Sequence, residues 1–121
     1  MQGNRAGIGR DRLRLRLAPR RDAPAAARRA LRDLPLGERA DDVLLVTSEL
    51  ITSAVLQGRS RELMELDVTF DPDHIHVELR DPGRFIPGDG GYALRILSGA
   101  APRWGIEQDH TTLVWFELPR Q

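Results

Sequence analysis

Glu49, Ser53 and Gln57 stand four residues apart in DDVLLVTSELITSAVLQG, a run that is otherwise largely apolar. At about 100° per residue they share an arc of about 80° on one side of a helix. Val43, Leu44, Val46, Leu50, Ile51, Ala54 and Val55 take most of the remaining circumference. The polar line is then either the water-facing edge of an amphipathic helix, with Ser53 bonding back to the carbonyl four residues earlier, or the wall of a cavity. Leu45 and Leu56 flank it and favour the cavity. A carboxylate half-buried among leucines needs a partner or a functional role to remain there.

A second cluster lies in DPGRFIPGDGGYALRIL, from Asp81 to Leu97. Asp81 sits at the end of an apolar–polar alternation, so its carboxylate is placed to accept a hydrogen bond from a ligand amino group. Gly83 follows two residues on, and Gly90 and Gly91 open a short helical pattern. Glycines at a helix N-terminus let backbone N–H groups approach an anion closely. His74 and His76 share a strand face but lack an evident third ligand, so exposed strand histidines are the simpler reading. Trp104 and Trp115 read as core or interface residues, and no serine–histidine–acid set is evident.

The elements that must position these groups are legible from periodicity. Leu13, Leu15 and Leu17 alternate with Arg12, Arg14 and Arg16, which predicts a strand ended by Pro19. Asp22 and Pro24 open a short helix over 25–34, which Pro35 breaks. A longer helix is predicted from Glu38 to Gln57, with Gly58 just past its end. Period-two alternation over 65–70 and 75–80 around Asp71-Pro72-Asp73 predicts a hairpin. A short helix over 91–97 and a second hairpin, 103–107 with 111–118, complete the order β-α-α-β-β-loop-α-β-β. LVWFEL is apolar on both faces at its start, as a central strand would be. These elements predict an α+β class: a two-layer sandwich with a mixed, mostly antiparallel sheet and helices on one face.

With 121 residues, one domain over 11–121 after a flexible tail of residues 1–10 is the simplest organisation. There is no cysteine, hence no disulfide and no thiolate metal site. No apolar run approaches about 18 residues, and the N-terminus lacks a signal-peptide core. A cytoplasmic protein without a membrane contact is expected. Formal net charge is zero, which argues against a nucleic-acid binder. All 18 basic residues are arginine, so the row on the first strand reflects composition rather than a local choice of arginine over lysine. That row reads as a solvated face or an interface.

In this order, DDVLLVTSELITSAV, LRDPGRF, GGYALRIL, RWGIEQ and LVWFELP resemble the motifs of the GHKL family of ATPases, which has the Bergerat, histidine-kinase-like fold. The branch is that of the small bacterial anti-sigma-factor serine/threonine kinases and their ATP-binding relatives. The resemblance spans about residues 12–120. It implies ATP and Mg²⁺ as cofactors, Glu49 as general base, and nucleotide contacts at Ser53, Asp81, Gly83, Gly90, Gly91, Ala93 and Thr112. It also implies a homodimer built on the N-terminal strand, and a partner such as a sigma factor or an anti-anti-sigma protein.

Departures from the family pattern cluster at the same positions. Ser53 replaces the asparagine that ligates Mg²⁺, and Gln57 stands where a histidine is common. Arg84 and Phe85 follow Gly83, so the second glycine of that motif is missing, and Ala93 replaces a glycine. Leu113 takes the slot of a threonine near the adenine, with Thr112 one place off and expected on the other face. The segment 84–89 is short for a lid. Weakened or lost nucleotide binding and phosphotransfer are expected. The alternative is a non-catalytic module that keeps the fold and sequesters a sigma factor or an anti-sigma antagonist.

Overall fold

A computed structural model describes residues 11–57, 61–83 and 103–120. Strand β1 (Asp11–Leu17) leads into helices α1 (Ala23–Arg32) and α2 (Ala40–Gln57). Strands β2 (Met64–Phe70), β3 (His74–Asp81), β4 (Arg103–Gln108) and β5 (Thr112–Pro119) follow. The sheet order is β1-β2-β3-β5-β4, and all pairings between described strands are antiparallel. This is the expected two-layer α+β sandwich, its mostly antiparallel character carried through every described pair. The tail 1–10, Gly58 and the short helix over 91–97 lie outside the described residues.

Burial explains why the chain takes this form. On β2, β3 and β5 every second residue is buried: Met64, Leu66, Val68 and Phe70; Ile75, Val77 and Leu79; Val114, Phe116 and Leu118. These side chains share one sheet face, and the helices supply its cover. Ala23, Ala27 and Leu31 recur every fourth residue along α1, while α2 buries Val43, Val46, Leu50, Ile51 and Ala54. Each large aliphatic side chain so buried contributes about 1.5–3 kcal/mol relative to exposure. A one-residue slip of any central strand would carry this set to the opposite face.

The local stops follow from residue chemistry. Asp22 occupies the N-cap of α1 but makes no side-chain cap bond; its carbonyl accepts the Ala26 N–H at 3.0 Å. The helix expected from Glu38 begins instead at Ala40, because Gly37–Arg39 forms a tight 3₁₀ turn. Gly37 has φ of 70°, the left-handed conformation that glycine favours, so the chain reverses there. At the first hairpin Asp71 Oδ1 accepts the N–H groups of Asp73 and His74, both at 2.8 Å.

Arg120 joins the two layers. Its guanidinium donates to the Asp71 carbonyl at 2.9 Å and to the Pro35 carbonyl, and lies 5.3 Å from the Phe70 ring centroid. It thus ties the α1–α2 connection to the β2–β3 turn. Arg120→Ala is expected to lose about 1–3 kcal/mol of stability in urea unfolding, and Arg120→Lys to recover less than half of that. Lysine keeps the charge but not the planar fork that reaches both carbonyls. An unchanged unfolding midpoint in Arg120→Ala would show that the clamp contributes nothing.

Candidate functional site

Asp81 ends β3 on the face covered by helices and is 7% exposed. Its Oδ1 accepts the Gly83 N–H at 2.8 Å. Directly across the ladder stands Thr112 of β5, fully buried, whose Oγ1 donates to the Gly83 carbonyl at 3.2 Å. Gly83 is therefore held at both its N–H and its carbonyl by side chains from two neighbouring strands. Burial pushes the Asp81 carboxyl up from the usual aspartate range, and the Gly83 N–H pulls it back by a smaller amount. A buried carboxyl with acceptor capacity left beyond its one backbone bond is chemically suited to a ligand that carries an N–H donor.

The placement of Thr112 corrects the expectation from sequence. Thr112 was expected on the outer face, with Leu113 in the slot beside the purine end. The register Asp81↔Thr112 puts Thr112 inward next to Asp81, and the half-buried Leu113 on the open face beside Arg80. The signal that locates it is the inward alternation of Val114, Phe116 and Leu118, read back two residues.

Glu49, Ser53 and Gln57 are half-buried on α2, which packs against β3. The line forms the seam between the buried and exposed sides of the helix. Leu45 and Leu56, whose flanking positions favoured a cavity over a water-facing edge, are 49% and 81% exposed. The back-bonding considered for Ser53 occurs elsewhere: Thr52 Oγ1 donates to the Ser48 carbonyl at 2.8 Å, and Ser48 Oγ to Leu45 at 3.1 Å. No hydrogen bond or ion pair joins Glu49 or Ser53 to Asp81 among the described residues. Gly90, Gly91 and Ala93 lie outside the described residues, as does the segment 84–89. So the structure brings together Asp81, Gly83 and Thr112, and sets Glu49 and Ser53 on the helix packed over that strand.

For Mg²⁺, the polar line of α2 offers a carboxylate and a hydroxyl one turn apart. No group of three His, Cys, Asp or Glu side chains assembles among the described residues. Two donors suit an ion that arrives with phosphate oxygens and keeps its waters; they do not make a cage for the ion alone. His74 and His76, weighed as a metal pair, have different surroundings. His74 is exposed, whereas the His76 ring nitrogens lie 2.9 Å from Glu117 and 2.9 Å from Glu78. Sequence reading did not find these partners: Glu117 is 41 residues away and only strand pairing brings it near, whereas Glu78, two residues on along the same strand face, was within reach of the period-two alternation.

No protein-family model matches the chain, and no curated protein does. The fold is nevertheless one already solved. The crystal structure of the RsbU and RsbW domains of Rv1364c from Mycobacterium tuberculosis superposes with a TM-score of 0.73 at 16% identity. The match covers 88% of this chain and 32% of that one, so this chain spans about a third of its length. At this identity the likeness concerns the fold.

Asp81→Asn tests the burial effect. The native state holds the Asp81 proton to higher pH than the unfolded chain does. Wild-type stability relative to the variant is therefore expected to stay level below the ordinary aspartate range. It should fall as pH rises from that range to the raised native value, and level off above it. Asparagine keeps an oxygen for the Gly83 N–H. Urea unfolding of both proteins from about pH 3 to pH 8 checks this, and a rise in relative wild-type stability over that window would mean that the Gly83 bond outweighs burial.

Proposed function

We propose that this chain is a regulatory domain of the ATP-binding type, resembling the anti-sigma-factor serine/threonine kinases, in which nucleotide binding and phosphotransfer are weakened. The observation that carries the reading is the buried Asp81, held with Gly83 and Thr112 at the end of β3 beneath the helix that bears Glu49. The order of the five motifs and the likeness to a chain with an RsbW domain support it. In this reading Asp81 accepts from the exocyclic amine of adenine, and Thr112 keeps Gly83 in place beside it. Glu49 takes the proton of a Ser or Thr hydroxyl on a protein substrate. Ser53 reaches a Mg²⁺ ion that comes with the phosphates; the ion would supply charge neutralisation there. A serine is shorter than the asparagine of the family, which weakens the phosphate end more than the purine end.

Calorimetry with Mg²⁺-ATP tests this directly. Weak binding is expected, with Asp81→Ala removing it. Ser53→Asn should strengthen it by about 1 kcal/mol, roughly fivefold. Tight, strongly Mg²⁺-dependent binding by the wild type would show that the substitutions matter little. No binding by either the wild type or Ser53→Asn would favour the second reading.

That second reading is a non-catalytic module that uses the same fold to hold a protein, such as a sigma factor or an anti-anti-sigma antagonist. Leu45 and Leu56 favour it, since two large apolar side chains on one helix are open to solvent beside the polar line. Within either reading we place a homodimer on β1. The structure shows what that contact must compete with. Arg12 pairs with Asp67 at 2.6 Å, Arg14 with the same carboxylate at 3.4 Å, and Arg16 with Glu65 at 3.6 Å. The hydrogen bond from Arg12 holds the Asp67 carboxyl below the usual range. Among the described residues no helix is long and apolar enough to cross a membrane.

Reversing Arg14 and Arg16 to glutamate is expected to shift a dimer toward monomer in sedimentation velocity. Stability should change by less than about 1 kcal/mol, because both side chains are mostly solvated. A wild type that already sediments as a monomer, or a variant that stays dimeric, would remove β1 from the interface.

A further inference from the structure

We propose that the open face of the sheet is a docking surface for a basic, arginine-bearing segment of a partner protein, seated on Trp115 between Glu78, Glu107 and Glu117. This surface lies on the side of the sheet opposite Asp81 and is independent of the nucleotide reading.

Trp115 projects from β5 onto the face that no described helix covers, where it is half-buried. Its indole lies across Gly105 of β4, its register partner. A Cβ at position 105 would come within 2.5 Å of the indole Nε1, so only glycine lets the ring lie in that place. On the other side the His76 ring stacks on it, with centroids 5.8 Å apart and planes inclined by 18°. The result is an aromatic platform fixed from both flanks.

Two adjoining shallow recesses run along this face, of about 360 and 290 Å³, sharing His76, Arg103 and Glu117. Their walls hold four carboxylates, Asp71, Glu78, Glu107 and Glu117, against one guanidinium, Arg103. Arg103 is already paired with Glu117 at 3.0 Å, and His76 bonds Glu78 and Glu117. Among the described residues Arg80, next to Leu113 across the ladder, is also nearby, and Arg12 lies close enough to Glu78 to feel its charge. Glu107 is exposed and has no ion pair among the described residues. A recess with an aromatic floor and an acidic rim complements a cation, and a planar guanidinium fits best, since it can stack on indole while its edge meets carboxylates. The chain's own arginine row at the far edge of this face is occupied with Asp67 and Glu65. The occupant proposed is an arginine-bearing segment of another protein, on the charge complementarity of the rim.

The test uses a fluorescein-labelled peptide of alternating arginine and serine, twelve residues long, followed by fluorescence anisotropy against the full chain. Binding should weaken as salt rises. Trp115→Leu should bind about tenfold more weakly and Glu107→Arg about fivefold more weakly, with circular dichroism spectra unchanged. Glu107→Arg keeps the test open if Trp115→Leu fails to fold. A glutamate–serine peptide should not bind. Absence of binding by the arginine peptide, or equal binding to the wild type and Glu107→Arg, overturns the proposal. So does a dimeric wild type that takes up the peptide only after reversal of Arg14 and Arg16, because the face then belongs to a second copy.

Discussion

Leu66, Val68, Val77, Leu79, Val114 and Phe116 are almost wholly removed from water, and each has neighbours along its strand that reach the opposite face. That alternation, imposed on three hydrogen-bonded strands at once, is the constraint on which everything else rests. A slip by one residue would expose several large side chains and bury Glu78, Glu117 or Asp67 without partners, at a cost of many kcal/mol. Because the register is so strongly held, the two faces acquire separate chemistries. Asp81 and Thr112 belong to the helix-covered side, where water is scarce and a carboxyl resists ionisation. His76, Trp115 and the arginine row belong to the open side, where charges pair across strands.

The helix-covered side illustrates how a fold can hold a site while individual contacts change. Asp81 is kept by burial and by Gly83, and Gly83 by Thr112; none of these contacts requires Ser53. The phosphate end of the proposed nucleotide site can therefore drift in sequence without unsettling the purine end. This is a physical reason for a chain to lose chemistry stepwise while its architecture persists. Leu45 and Leu56 on the same helix are exposed beside this site, and the second reading proposed above would use them without any nucleotide.

Much of the fold was legible because its signals are local. Period-two alternation identified β2 and β3, and the Asp-Pro-Asp turn between them makes the side-chain bonds its composition suggests. The spacing of α2's apolar residues located its buried side. Other features depended on long-range pairing and were not legible. The insertion of β5 between β3 and β4 leaves only the two-sided apolarity of LVWF as a trace. The Glu117 partner of His76 depended on which strand lies beside β3, whereas the inward face of Thr112 could have been read from the alternation that follows it. The start of α2 was misplaced by two residues because Gly37 supports a turn that helical spacing does not reveal. For Glu49 and Ser53 the sequence located the helix face, and the structure adds that among the described residues this face is a half-buried seam.

The strand order has one further consequence. β5 is hydrogen-bonded on both sides, yet it is later in the chain than all four of its sheet-mates. During synthesis β1, β2 and β3 can pair as they emerge, but among the described strands β3 keeps an open edge and β4 has no neighbour until β5 has left the ribosome. Its arrival joins segments separated by more than 30 residues, the kind of closure that is slow to nucleate and cooperative once made. Until then the free edge of β3, flanked by apolar side chains, is open to pairing with another chain. Of the described strands, the latest in the chain is thus the one that both completes the core and seals the edge along which unfinished chains would associate.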